Sequence, residues 1–121
     1  MVEPFQQGES PLSLEEIELI AACSLPTLEK HHLRLLAHCL ASFKAMSGKV
    51  RKGHLPNEKM RIEWCLNHPI LSSQKSFIPI LLKQLANAGK QLETIAIERG
   101  VSCLELELQD LIENCKGRSQ I

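Results

Sequence analysis

Histidine and cysteine supply the side chains of this sequence that could ligate a metal ion or attack a substrate. They occur as three close pairs: His31 and His32, His38 and Cys39, and Cys65 and His68. On a helix, His31 and His38 would lie about 10 Å apart along the axis, too far to share one ion without a further helix. Cys65 and His68 have the spacing to share one, but zinc normally needs two closely spaced ligand pairs. We therefore predict no metal and no cofactor.

The motifs of common enzyme classes are missing from the sequence. Gly48 and Gly53 have the spacing of a phosphate-binding loop, but His54 and Leu55 stand where that loop needs lysine and a hydroxyl residue. No serine lies in a nucleophile elbow, and no H-E-x-x-H motif occurs. Nothing in the sequence indicates a thiol with a lowered pKa. We predict that the protein is not an enzyme and has no catalytic residues.

Positive charge is concentrated between residues 44 and 61, where six basic residues accompany one glutamate. Such a patch can hold an anion or a phosphate backbone. The candidate residues for this role are Lys49, Arg51, Lys52, Lys59 and Arg61. A solvated charged loop explains the same residues without any ligand. The whole chain has fourteen basic and fourteen acidic residues, so its net charge indicates no nucleic-acid or membrane partner.

The segment 91–115 has the sequence pattern of a helix-turn-helix. Ala96 and Gly100 have the spacing of the small residue in the first helix and of the glycine in the turn, and Leu106 that of the first apolar residue that packs the second helix. Gln109 occupies the next packing position of the second helix, where an apolar residue is needed. The first three turns of the second helix carry acids and no basic residue, the wrong sign for a phosphate backbone. DNA binding is therefore the alternative prediction, and a glycine turn between two packed helices is the simpler one.

Apolar residues that lie off the main helical stripes are candidates for a protein-binding surface. Trp64 and Met60 share a face of the third predicted helix roughly opposite Ile62, and Leu106 lies opposite the apolar stripe of the fifth. Tryptophan is enriched among the residues that anchor protein interfaces. Each of these residues could instead pack beneath a loop. We name Trp64, Met60 and Leu106 as the candidate partner-binding residues.

Five helices are expected to position these candidates, because apolar residues recur along the chain every three to four positions. We predict the first helix from about residue 13 to just before Pro26, and the second from Pro26 to Ser47. The other three are expected from residues 56–57 to about Asn67, from 73–76 to Arg99, and from 102 to Lys116. The second and fourth helices are long, each roughly 33 Å. The predicted fold is all-α: a compact bundle in which the two long helices pack antiparallel and the last helix folds back through Gly100.

The sequence predicts a single domain with short ends. Residues 1–12 are expected to be a flexible lead-in, residues 13–116 the helical domain, and residues 117–121 a tail. The amino terminus is acidic and does not resemble a secretion signal. The longest apolar run, residues 77–82, is interrupted by Pro79 and is too short for a bilayer. We therefore expect a cytoplasmic protein with no membrane partner.

The functional prediction is a small, non-enzymatic interaction or regulatory protein that acts through its helical surfaces. Two helices near 33 Å are long for a domain of 121 residues, and a homodimer would cover their ends. We therefore expect self-association or another protein as the partner. The alternative is a DNA-associated regulator that uses the segment 91–115 or the basic patch 44–61.

Overall fold

Helices make up most of the chain, and the prediction of an all-α fold is confirmed. The computed structural model describes residues 14–48, 50–68 and 71–119, and within these ranges it contains no β-strand. The helices are α1 (Leu14–Ala22), α2 (Thr27–Met46), α3 (Glu58–Asn67), α4 (Ile78–Arg99) and α5 (Leu108–Ser119). Short 3₁₀ turns lie at Leu71–Ser73, Lys75–Phe77 and Cys103–Glu105. The predicted lead-in 1–12 and the predicted cap Ser13 lie outside the described residues.

The centre of the bundle is the contact between α2 and α4. Both helices bury leucine-rich stripes there: Leu33, Leu36, Leu40 and Phe43 on α2, and Leu81, Leu85 and Leu92 on α4. α5 and α3 each pack against both long helices, and α1 packs against α2. Each large apolar side chain contributes roughly 1.5–3 kcal/mol when it is fully buried. No helix in the described part of the chain combines the length and the apolar content that crossing a bilayer requires.

Ion pairs at the start of α5 connect it with both long helices. Lys44 Nζ, near the carboxyl end of α2, lies 3.5 Å from a carboxylate oxygen of Glu107. Arg99, the last residue of α4, forms an ion pair of 3.0 Å with Asp110. α5 therefore joins the central pair of helices as the third member of the compact bundle.

The starts of α3 and α4 follow local sequence signals. α3 begins next to Asn57, as predicted, and the side chain of Asn57 accepts a hydrogen bond of 2.9 Å from the backbone N–H of Met60. Pro79 lies in the first turn of α4, where its missing N–H costs nothing. α2 begins directly after Pro26 and has no side-chain cap.

Gly89 allows α4 to approach its neighbours closely, as its place in the apolar stripe predicts. The helix continues through this residue without a break. A Cβ atom built on Gly89 would lie 3.7 Å from Phe43 Cζ and 3.7 Å from Leu55 Cδ1. These are ordinary van der Waals distances, so the site has room for about one methyl group.

The fifth helix begins and ends later than predicted. Ser102 and Glu105 form the expected capping box, but the box encloses only the 3₁₀ turn Cys103–Glu105. Leu106 then adopts an extended conformation, and α5 starts two residues later, with Asp110 accepting the N–H of Glu107 at 2.8 Å. α5 continues to Ser119, past the predicted end at Lys116. Cys103, Leu104 and Leu106 of this broken segment are all buried.

Candidate partner-binding surface

One face of α3 forms an open groove with the end of α2. The groove is lined by Met60, Glu63, Trp64, Asn67 and His68 of α3 or its cap, and by Met46 of α2. The spacing of three and four residues places the α3 members on one side of the helix. The groove has a volume of about 420 Å³, which lies within the range of ligand-binding pockets. We call this surface the α3 groove.

Trp64 forms the aromatic wall of the α3 groove. Its side chain is half-buried and packs partly against the core. The centroid of its ring lies 5.1 Å from that of His68, and the two planes are tilted by 55°. Met60 is 43% exposed. Two of the residues that the sequence indicates as partner contacts therefore lie together on one accessible surface.

The predicted exposure of Leu106 is wrong. Its side chain is 0% exposed and belongs to the core. The prediction assumed a helix from Ser102, which would place Leu106 on the outer face. Because the chain is extended at Leu106, the side chain turns inward instead. A partner could reach Leu106 only if the core opened.

Sequence reasoning missed four residues of the α3 groove: Met46, Glu63, Asn67 and His68. Glu63 and Asn67 lie three and seven residues after Met60, so the helical spacing from Met60 already contained them. The sequence assigned Met46 to the apolar face of α2. Nothing in the spacing indicates that the end of α2 meets α3, because that depends on the path of the loop between the two helices.

Two arginines of the basic patch 44–61 have partners within the chain. Arg61 donates a hydrogen bond of 2.9 Å from Nε to the carbonyl oxygen of Pro56. The guanidinium carbon of Arg61 also lies 5.4 Å from the centroid of the Phe43 ring, a cation–π contact. Arg51 donates to the carbonyl oxygens of its loop neighbours Gly48 and Val50.

The other predicted members of the patch are lysines. Lys52 and Lys59 are exposed, and Lys49 lies outside the described residues. Lys52 lies close enough to Glu105 to help lower the pKa of that carboxyl, after the larger effect of the hydrogen bonds from Ser102. The residues of the patch therefore interact in part with the acidic end of the chain.

The loop between α2 and α3 is fastened to the turn between α4 and α5. The N–H of Gly53 donates to Ser102 Oγ at 2.9 Å, and the N–H of Leu104 donates to the carbonyl oxygen of Gly53 at 3.2 Å. Leu55, two residues further on, packs next to Gly89 of α4. The loop is thus held by backbone hydrogen bonds and by one apolar side chain.

The segment 91–115 contains the predicted glycine turn but not the second helix of a helix-turn-helix. Gly100 has φ +71°, and its N–H donates to the carbonyl oxygen of Ile97 while that of Val101 donates to Ala96. This is a Schellman motif, a common way to end a helix. The chain then forms only a 3₁₀ turn before α5 begins at Leu108.

The acidic face of α5 contacts α4 of the same molecule. Arg99 donates to Glu113 at 2.6 Å and to Asp110 at 3.1 Å. The hydrogen bond from Arg99 lowers the pKa of Glu113 below its ordinary value. Asn114 donates to Glu98 at 3.2 Å. These contacts fix α5 against the end of α4.

Three buried thiols, those of Cys39, Cys65 and Cys103, are poorly suited to nucleophilic chemistry. Burial raises the pKa of Cys39 to about 12 and also raises the pKa values of Cys65 and Cys103. The thiolate is the reactive form, so burial suppresses reactivity at neutral pH. His68 contacts Trp64, while the Cys65 side chain belongs to the core. Among the described residues, no three His, Cys, Asp or Glu side chains are grouped as a metal site would require.

Comparison with known proteins gives one match, to a protein family. The family model for the NDH complex assembly factor CRR9 matches residues 12–121. Searches of curated proteins and of solved structures found no match. The family match includes every described helix and therefore the whole α3 groove. This chain thus belongs to the CRR9 family of NDH complex assembly factors.

Proposed function

We propose that the protein is a non-enzymatic assembly factor that binds a protein of the NDH complex through the α3 groove. The observation that carries the proposal is the family match over residues 12–121. An assembly factor acts by holding a partner protein, and that task needs a surface rather than a reaction site. The α3 groove is such a surface, since it combines an accessible tryptophan with two methionines and polar groups at its rim.

The composition of the groove supports this role. Tryptophan is over-represented among the residues that dominate binding energy, and methionine adapts its shape to different partners. Met60 and Trp64 belong to α3, whose opposite side carries the buried Cys65. The groove therefore rests on a helix that the core holds in place.

The test is genetic complementation in the host with matched charge substitutions. In a strain that lacks the gene, the amount of assembled NDH complex is measured on native gels after the wild-type or a variant chain is restored. Met60→Glu places a charge in the groove and is expected to reduce the assembled complex severalfold. Ile97→Glu is the control, because Ile97 is 81% exposed on α4 and does not line the groove.

Both variants are first compared with the wild type by circular dichroism and urea unfolding, so that a folding defect is recognised. Full assembly with Met60→Glu at normal protein levels would contradict the role of the groove. Normal assembly in the strain without the gene would contradict the function itself. Self-association, nucleic-acid binding and the cytoplasmic location stay predictions from the sequence.

A further inference from the structure

We infer that the α3 groove recognises a lysine or arginine side chain presented by an apolar segment of the partner protein. The inference rests on the proposed function and adds the chemistry of the partner. It follows from the arrangement of apolar surface and negative charge in the groove.

The walls of the groove fit the aliphatic part of a long basic side chain. Met46, Met60 and Trp64 form an apolar surface contributed by two helices. Lysine and arginine bury their methylene stems on such surfaces while the charged end stays near water. The ring of Trp64 also attracts a cation placed over its face.

The charge at the groove has the complementary sign. Among the described lining residues, Glu63 carries the one carboxylate, and no lysine or arginine is present. Glu63 is exposed and lies between Met60 and Asn67 on the same side of α3. A guanidinium or ammonium group bound against Trp64 would lie on the side of α3 that carries both Glu63 and Asn67.

Two cations that are close to the groove in the sequence have partners elsewhere. The guanidinium of Arg61 lies over the Phe43 ring and donates to the backbone at Pro56. Lys44, two residues before Met46, is paired with Glu107. Both charges are engaged with other parts of the molecule and do not line the groove.

The intrinsic fluorescence of Trp64 can be used to test this inference. Trp64 is the single tryptophan and the sequence has no tyrosine, so intrinsic fluorescence reports on the groove alone. The ligand for the test is an eighteen-residue synthetic helical peptide that has leucines and one arginine on the same face. One matched peptide has glutamate in place of the arginine, and another has serine in place of the leucines. The full chain is titrated with each peptide, and the Trp64 emission gives the dissociation constant.

We expect the arginine peptide to bind and to shift the Trp64 emission, and both matched peptides to bind at least about threefold more weakly. Glu63→Gln should weaken binding of the arginine peptide by about three- to fivefold, the effect of losing one partly exposed ion pair. Glu63→Lys should reverse the preference in favour of the glutamate peptide. Glu58→Gln is the control, because Glu58 is exposed on the same helix but does not line the groove.

Two outcomes would overturn the inference. One is an affinity for the arginine peptide that Glu63→Gln leaves unchanged. The other is a Trp64 emission that depends on protein concentration and not on peptide, because the occupant would then be a second copy of the chain. If either occurs while Met60→Glu still blocks assembly in the host, the proposed function stands and only the partner chemistry is wrong. If the peptide binds as expected and the NDH complex assembles normally with Met60→Glu, the groove is a binding site that does not serve assembly.

Discussion

Gly100 has a backbone conformation that disfavours other residues at this position. Its φ of +71° ends α4, and a Cβ atom there would meet no neighbour within 4 Å. The cost of Gly100→Ala is therefore conformational, and we expect a loss of about 1 kcal/mol in the free energy of unfolding. The control is Gly117→Ala, which adds a methyl group in open space within α5 and should be neutral or stabilising by about 0.5 kcal/mol. Urea unfolding measures both, and equal effects at the two glycines would contradict the assignment of the turn.

Two surface carboxylates should make the stability of the protein depend on pH. Hydrogen bonds from Ser102 lower the pKa of Glu105, and hydrogen bonds from Arg99 lower that of Glu113, in each case below the value of 4.5 for a free side chain. A lowered folded-state pKa means that the charged form stabilises the fold above about pH 4.5. That contribution is lost as the pH falls through the folded-state pKa.

We therefore expect the variant Glu105→Gln with Glu113→Gln to lose less stability than the wild type between pH 6 and pH 3. Urea unfolding at several pH values gives the slope for each protein. Identical slopes would mean that these hydrogen bonds do not persist in solution.

At the scale of single residues, the sequence predicted the exposure of some candidates and not of others. Met60 is exposed and Trp64 is half-buried, because the short α3 cannot bury all its sides at once. Leu106 is buried, since exposure was deduced from a helix that begins only at Leu108. Arg61 was grouped with an anion site, but its contact with Phe43 joins two elements that the sequence does not show to be neighbours.

At the scale of helices, Gly89 offers a test of how closely α4 packs. The space beside it accepts one methyl group at 3.7 Å from Phe43 and Leu55. Gly89→Ala should therefore raise the free energy of unfolding by about 0.5–1 kcal/mol, because alanine favours the helix. Gly89→Leu should lower it by about 1–3 kcal/mol, because the larger side chain overfills the contact. Urea unfolding measures both changes. If Gly89→Leu raised the free energy of unfolding, α4 would lie further from Phe43 and Leu55 than described.

The helices themselves were predictable, but their arrangement was less so. Asn57, Pro79 and Gly100 mark helix ends through local hydrogen bonding and backbone geometry, which a sequence displays directly. The path of the chain from α2 to α4 depends on how α3 and the two 3₁₀ turns are placed. That path is set by contacts between residues that are distant in the sequence, and no local sequence signal displays it.

At the scale of the whole molecule, the predicted homodimer can be tested on α2. Leu28 is 82% exposed and Leu35 is 39% exposed, although the sequence assigns both to the apolar face of this helix. They lie seven residues apart on one side of α2, as contact residues between packed helices do. We expect light scattering at about 100 µM to give the mass of a dimer, and Leu28→Glu to give that of a monomer. Gln91→Glu, exposed on α4, is the control, and a monomeric wild type would contradict self-association.

The hydrogen bonds between Gly53 and the turn at Ser102 should help to hold the two fragments together when the chain is cleaved between α3 and α4. Residues 73–76 are exposed between α3 and α4, and Lys75 offers trypsin a cleavage site there. α2 would remain in one fragment while α4 and α5, its main neighbours, would be in the other. The two pieces would share one core and the same backbone bonds, so the nicked molecule should still elute as a single folded species and separate only in denaturant.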